Sequence, residues 1–423
     1  MGLAELSLIA LAVAVVVGIV RNVNVGPLSM AIALVIGYYI GGVKIKDIIA
    51  GYPVNVFLML AGITYLFAIA NINGTLAKLT NFAVKGVRGN IALLPIVLFL
   101  VAFALSSLGP GAITICAMMA APCMLLASKA KIPAFLMAVM VANGTQAGNM
   151  SPIAVAGVIV KGLAQKMNLP DWSFILWMNS LVYFFAIGIG AYLLFGGLKL
   201  WKNRGAADAY VMEKSDTAPF NRQQYLTLGA IAVLVIGVIF FKVDIGFFGF
   251  LLGTLLILFK AVDDEDKVFK AMPWGAIMMV TGVTVLISLM SKIGGMALFA
   301  DIMAKQSTPY TVTLVAGFWS GLISAYASTI GVILPAFVPM APDLLVKIGA
   351  PSSDLLPLLS SIILSGHVTD VSPLSTIGAI FIANAAEDQD KKKLFRNMLI
   401  WGLAMTPIGA VVCWILFTVL GIP

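Results

Sequence analysis

Apolar runs of about 17 to 28 residues recur from one end of this 423-residue chain to the other, separated by loops mostly shorter than 20. A run of that length suits a helix crossing a hydrocarbon layer about 30 Å thick, and too little chain remains between the runs to build a soluble domain. Composition agrees, with 10% of residues charged and 61% hydrophobic, against roughly 25% charged in a soluble domain. The chain therefore reads as an all-α polytopic membrane protein. The first run, 6–20, has no basic segment before it and no small-residue cleavage site after it, so it is expected to remain as a span. The net charge of +8 then reports loop placement, not nucleic-acid binding.

Several function classes drop out. No GxxxxGK[ST] loop and no long polar segment offer a place to hydrolyse ATP, so uphill transport would draw on an ion gradient. Cys116, Cys123 and Cys413 sit inside apolar runs without CxxC spacing, which suits packing better than a zinc site or disulfide. One histidine and few intramembrane carboxylates supply almost nothing for an enzyme.

The chain repeats itself. Residues 51–64 align with 271–284, pairing Pro53 with Pro273, Gly62 with Gly282 and Thr64 with Thr284 at an offset of 220. Gly74 pairs with Gly295 and residues 149–157 with 370–378 at 221. Two halves follow, 1–200 and 223–423, joined by a linker over 201–222. Each is expected to carry scaffold helices (6–72; 223–291), a stretch of 34 to 37 apolar residues broken near its middle (92–128; 310–346), a broken span (133–160; 355–383) and a final span. If the mid-broken stretches are re-entrant hairpins, each half has five full crossings, an odd number, and the halves are inverted. With the N-terminus outside, 18 of the 26 Lys and Arg fall inside and 8 outside, as the positive-inside rule asks.

Polar residues at membrane depth are costly, so those gathered at the four breaks are candidates for a site. An unwound segment offers carbonyl and hydroxyl oxygens to a cation, while half-helix N-termini favour an anion. The candidates for substrate are Ser107, Gly111, Asn143, Thr145, Ser328, Thr329, Ser372 and Pro373. Those for Na+ are Ser106, Gly109, Gly144, Asn149, Ser151, Ser324, Thr369, Asp370 and Thr376. Asp370 stands where the first half has Asn149, and a lone buried carboxylate costs about 2.5–3.5 kcal/mol, so it reads as a cation ligand or a proton carrier. His367 is a proton-coupling group or a packing residue. Asn55 and Thr64 are weaker candidates.

Residues 51–75 resemble the N-terminal signature of the MatC-type dicarboxylate carriers, and the whole chain resembles the wider ion transporter superfamily that includes the divalent anion:sodium symporters. The resemblance implies two hairpins and two broken helices around substrate and Na+, a transport domain moving as an elevator against a scaffold, and a homodimer. Ser151-Pro152 and Ser372-Pro373 match the family's Thr-Pro positions, whereas neither hairpin tip carries its Ser-Asn-Thr. The expected function is Na+-coupled symport of a small di- or tricarboxylate across a bacterial inner membrane. H+ in place of Na+ and a Na+/H+ antiporter using Asp370 are the alternatives.

Overall fold

The computed structural model describes residues 2–21, 23–85, 90–202 and 219–422. Most of the expected linker, 201–222, lies outside them, as does Arg88. Among the described residues every regular element is helical. The first half comprises α1 (Leu3–Arg21), α2 (Val25–Ala33, widening into a π-type turn over Leu34–Ile40), α3 (Ile45–Ile49), α4 (Val54–Ile72), α5 (Thr75–Lys85), α6 (Leu94–Ser107), α7 (Gly111–Lys129), α8 (Ala134–Asn149), α9 (Val155–Lys166), α10 (Ser173–Leu194) and α11 (Gly197–Lys202). The second comprises α12 (Arg222–Phe241), α13 (Ile245–Leu258), α14 (Glu265–Ala271), α15 (Trp274–Lys292), α16 (Gly295–Ala304), α17 (Val312–Ser324), α18 (Leu334–Lys347, led in by a π-type turn over Thr329–Ile333), α19 (Leu355–Thr369), α20 (Thr376–Ala383) and α21 (Lys391–Trp414, continued by Ile415–Val419). Among the described residues six helical segments are long and apolar enough to cross a membrane: Val54–Ile72, Gly111–Lys129, Ser173–Leu194, Trp274–Lys292, Thr329–Lys347 and Lys391–Val419.

Two close helix crossings tie the halves together, and glycine makes both. A Cβ on Gly62 of α4 would sit 1.9 Å from the carbonyl oxygen of Gly246 in α13, and one on Gly282 of α15 would sit 2.3 Å from that of Gly26 in α2. Gly282 lies 220 residues after Gly62, and Gly246 lies 220 after Gly26, so one crossing repeats the other with the roles of the halves exchanged. Backbones approach this closely only where no side chain stands between them. One expected pairing shifts: the residue equivalent to Gly74 (φ 75°) is Gly294 (φ 85°), because both precede a helix start in the left-handed region.

The two hairpins are asymmetric. Their arms hold 14 and 19 residues in α6 and α7, and 13 before the 19-residue segment Thr329–Lys347, whereas arms of about 17 were expected. The first arms, near 21 Å long at 1.5 Å per residue, fall short of a hydrocarbon core. The turn comes early because Gly109 (φ 147°) and Gly111 (φ 75°) adopt conformations closed to other residues, with Pro110 between them. Hairpin ends match between the halves at an offset of 218, which pairs Ser106 with Ser324. α6 packs on α8, α17 on α19, and α10 and α21 cover them. Residues 135–149 of α8 and 355–369 of α19 are buried almost without exception, as expected of helices at the centre of a bundle.

Candidate functional site

Ser-Pro sequences end α8 and α19, because proline lacks the N–H and clashes with the preceding turn. The two breaks have the same local geometry. Ser151 N–H donates to the Gly148 carbonyl and its own carbonyl accepts from Ala154; Ser372 N–H donates to Thr369 and its carbonyl accepts from Ser375. Gly157 and Gly378 let the next half-helix pass, since a Cβ on either would lie 2.1 or 2.0 Å from the Ser151 or Ser372 carbonyl oxygen.

The two breaks meet each other. Gln146 of α8 donates to the Asp370 carboxylate at 3.4 Å and to the His367 carbonyl at 3.4 Å, and Asn149 Nδ2 lies 3.4 Å from His367 Nε2. Asp370, 2% exposed, also accepts from Ser375 Oγ at 2.5 Å and from Ser324 Oγ at 3.5 Å. Ser324 reaches Thr329 Oγ1 at 2.6 Å, joining the second hairpin to the same cluster. Among the described residues no lysine or arginine pairs with this carboxylate. In the first half Asn149 takes the corresponding place, accepting from Ala112 N–H at the start of α7 at 3.1 Å and donating to Gln146 at 3.2 Å. A neutral residue thus anchors the first hairpin, and a charged one the second.

Next to this cluster lies a cavity of about 370 Å³ lined by Asn24, Ile113, Pro273, Gly275, Met279, Ser328, Gly331 and Thr376. Its size falls in the usual range of small-molecule sites, roughly 300–1,000 Å³. Helix starts surround it: α2 behind Asn24, α15 behind Pro273, Thr329–Ile333 behind Ser328, and α20 at Thr376. No side chain caps α15 or α20. Ser375, at the N-cap of α20, instead spends its hydroxyl on Asp370 and on the Ala327 carbonyl at 2.7 Å. At these starts Trp274 and Ala276 N–H donate to the Met272 and Pro273 carbonyls and Gly378 N–H to that of Asp370, which leaves the N–H groups of Gly275, Thr376 and Ile377 for an acceptor, and the partial positive charge of a helix start favours an anion.

The expected residues divide. Asn149, Ser324, Thr329 and Asp370 join the central cluster; Ser328 and Thr376 line the cavity, where Ser328 accepts from Gly331 N–H at 3.2 Å. Gly111 sits against Asn149 and Val155, and Gly109 against Ile63 and Phe67 of α4. Asn143, Gly144 and Thr145 were expected in an unwound segment; they lie inside α8, whose break spans 150–154. The glycines there serve packing, a Cβ on Gly144 meeting the Phe99 carbonyl oxygen at 2.3 Å. Thr145 bonds the Ala142 carbonyl and Cys116. Thr369 likewise closes α19, and the hydroxyls of Ser107 and Thr369 return to the Phe103 and Gly366 carbonyls. Ser372 receives Leu374 N–H at 3.4 Å, with Pro373 beside it in the break; Ser151 contributes backbone alone to the contacts above. Ser106 Oγ and both polar side-chain atoms of Asn143 are buried without a partner, at about 1–3 kcal/mol per group unless an ion or water answers it. Asn55 is exposed, and Thr64 bonds the Leu60 carbonyl of its own helix. Gln146 and Ser375 lie in the polar breaks that the sequence marks without standing out singly as ligands, and Asn24 gives no sign in the sequence at all.

Comparison with known proteins bears on the family and on the fold. Residues 1–149 match the family model described as the dicarboxylate carrier protein MatC N-terminus. The resemblance carried by residues 51–75 is borne out. The solved structure of the YdaH transporter of Alcanivorax borkumensis shares the fold with a TM-score of 0.53 at 14% identity, over 88% of this chain and 87% of that one. No curated protein sequence matches the chain.

Proposed function

We propose that the chain is a secondary active transporter that carries a small di- or tricarboxylate, of the malonate, succinate or citrate class, together with Na+. One observation carries the reading: uncapped helix starts line a cavity beside the cluster that holds Asp370, a buried carboxylate with no basic partner among the described residues. A dianion entering such a site needs compensating charge. With no lysine or arginine at hand, cotransported cations supply it, held on the second side by Asp370, Ser324, Thr369 and Thr376 and on the first by Ser106, Asn149, Ser151 and the carbonyl of Gly109. The dicarboxylate class follows the description of the family that matches residues 1–149.

In this reading two inverted repeats build a scaffold from the glycine crossings and a moving body from the hairpins and broken helices, in a homodimer with its N-termini outside the inner membrane. The experiment is thermal stabilisation of the purified protein by mono-, di- and tricarboxylates, each in Na+ and in K+. A ligand stabilises by RT ln(1 + [L]/Kd), so a dicarboxylate shift present only in Na+ is expected, and equal shifts in both salts would refute Na+ coupling. The neutral donors around Asp370 favour one second reading, a Na+/H+ antiporter. It requires a Na+ shift that grows at high pH with no carboxylate shift at all.

A further inference from the structure

The base of the first hairpin and the start of α21 meet in a polar cleft of about 450 Å³. Lys131 and Lys393 both line it, and among the described residues neither forms an ion pair. The carboxylates beside them are engaged: Asp388 accepts from Ser128 Oγ, and Asp390 caps α21 by accepting from Lys393 N–H at 2.9 Å. Lys391, Lys392 and Arg396 are exposed around the same helix start. Around the cleft Lys131, Lys391, Lys392, Lys393 and Arg396 outnumber Glu387, Asp388 and Asp390, so its mouth keeps a net positive charge.

A second cavity adjoins the cleft across two shared lining residues. Phe135 and Asn397 also line a groove of about 420 Å³ between α10 and α21, whose other walls are almost wholly hydrocarbon, Ile187, Leu194, Ile400 and Ile408 among them. From Lys393 to Ile408 is about 22 Å along the helix at 1.5 Å per residue, enough to run from headgroup depth past the middle of a ~30 Å core. A basic mouth opening into an apolar groove of that length matches one amphiphile.

We propose that the joined cavities form a phospholipid site, with the phosphate of an anionic headgroup between Lys131 and Lys393 and an acyl chain in the groove between α10 and α21. The site rests on the membrane reading of the chain and is independent of what the protein carries. Gly190 gives a clean handle on the chain-binding part, because it lines the groove and nothing lies within 4 Å of where its Cβ would be. A large side chain there fills the groove without striking the backbone.

The test titrates phosphatidylglycerol, phosphatidylcholine of the same chains, and inorganic phosphate into the delipidated full-length protein in mild detergent, reading thermal stability and retained lipid by native mass spectrometry. Phosphatidylglycerol is expected to stabilise more than phosphatidylcholine, and inorganic phosphate not at all. Removing each lysine, in K131Q and K393Q, should weaken phosphatidylglycerol about fivefold, the worth of one basic residue at an anionic surface. Gly190→Phe should abolish retention of either lipid while leaving the elution profile unchanged. Equal response to the two lipids, phosphatidylglycerol affinity undiminished in the double lysine variant, retention undiminished in Gly190→Phe, or a phosphate response equal to that of phosphatidylglycerol would each overturn the assignment.

Discussion

Joining Val56 of α4 to Gly162 of α9 by a disulfide should stop transport without unfolding the protein. A Cβ built on Gly162 lies 3.9 Å from the Val56 Cβ, inside the range of roughly 3.5–4.5 Å that a disulfide spans. The equivalent pair in the second half is Ala276 and Ala383, at offsets of 220 and 221. Ala276 lines the cavity and Ala383 is exposed. In the proposed elevator motion the hairpins and broken helices travel as one body along the scaffold, and a covalent bond between α4 and α9 forbids that travel. The assay is uptake into proteoliposomes before and after oxidation, with gel-shift quantitation of the crosslink; the native cysteines, all buried, compete poorly. V56C/G162C should crosslink readily, lose uptake on oxidation and recover it on reduction, while A276C/A383C should crosslink only when the body has moved to the opposite side. Wild-type uptake by fully crosslinked V56C/G162C would refute the reasoning.

Three further outcomes are expected. Asp370→Asn removes a buried charge that costs about 2.5–3.5 kcal/mol, so the variant should be at least as heat-stable as the parent in salt-free buffer but show no Na+-dependent shift; an intact Na+ response would remove Asp370 from the cation site. Gly62→Val and Gly282→Val each force a side chain into a backbone contact of about 2 Å, and both should lower the yield of monodisperse protein by size exclusion far more than Gly190→Ala, which meets open space. Asp171, in the loop after α9, is a case for pH: burial pushes its carboxyl up, but Lys161 at 2.8 Å and Ser173 outweigh it and hold it below the ordinary range. A group depressed in the folded state stabilises fully above its unfolded pKa and ceases to as pH falls through its folded one, so the deficit of Asp171→Asn should be largest near neutrality, begin to shrink at about pH 4 and disappear at still lower pH. With the two side chains 31% and 50% exposed, that deficit stays under about 1 kcal/mol, readable as a melting shift of a few degrees at most.

What could be read from the chain and what could not separate along a physical line. Scaffold helices and Ser-Pro breaks declare themselves locally, through apolar length and a missing N–H, and α4 begins and ends where the apolar run predicts. Gly62 and Gly282 were visible as a repeat, but their partners Gly246 and Gly26 were not, because a contact between distant segments leaves no trace in the spacing of either. The Gly-rich run 143–149 looked unwound for the same reason: Gly144 and Gly148 exist for the backbone of α6, where a Cβ on either would lie 2.3 or 2.4 Å from the Phe99 or Phe103 oxygen, and a close-packed helix is indistinguishable in composition from a broken one. Gln146 and Ser375 acquire meaning only when the two breaks face each other across Asp370. The hairpin register waited on helix ends, since no shared motif links 106–114 with 324–331.

The reciprocal glycine crossings also set an order of events during synthesis. Each half owns one strip of backbone from both contacts, α2 and α4 on one side and α13 and α15 on the other. A nascent chain that has inserted α1 to α11 holds Gly26 and Gly62 bare, with no helix close enough to cover their peptide groups. The first-made half must therefore wait in the bilayer as an open clasp, and it closes only as α13 and then α15 arrive, which commits the molecule to folding as a single interlocked unit.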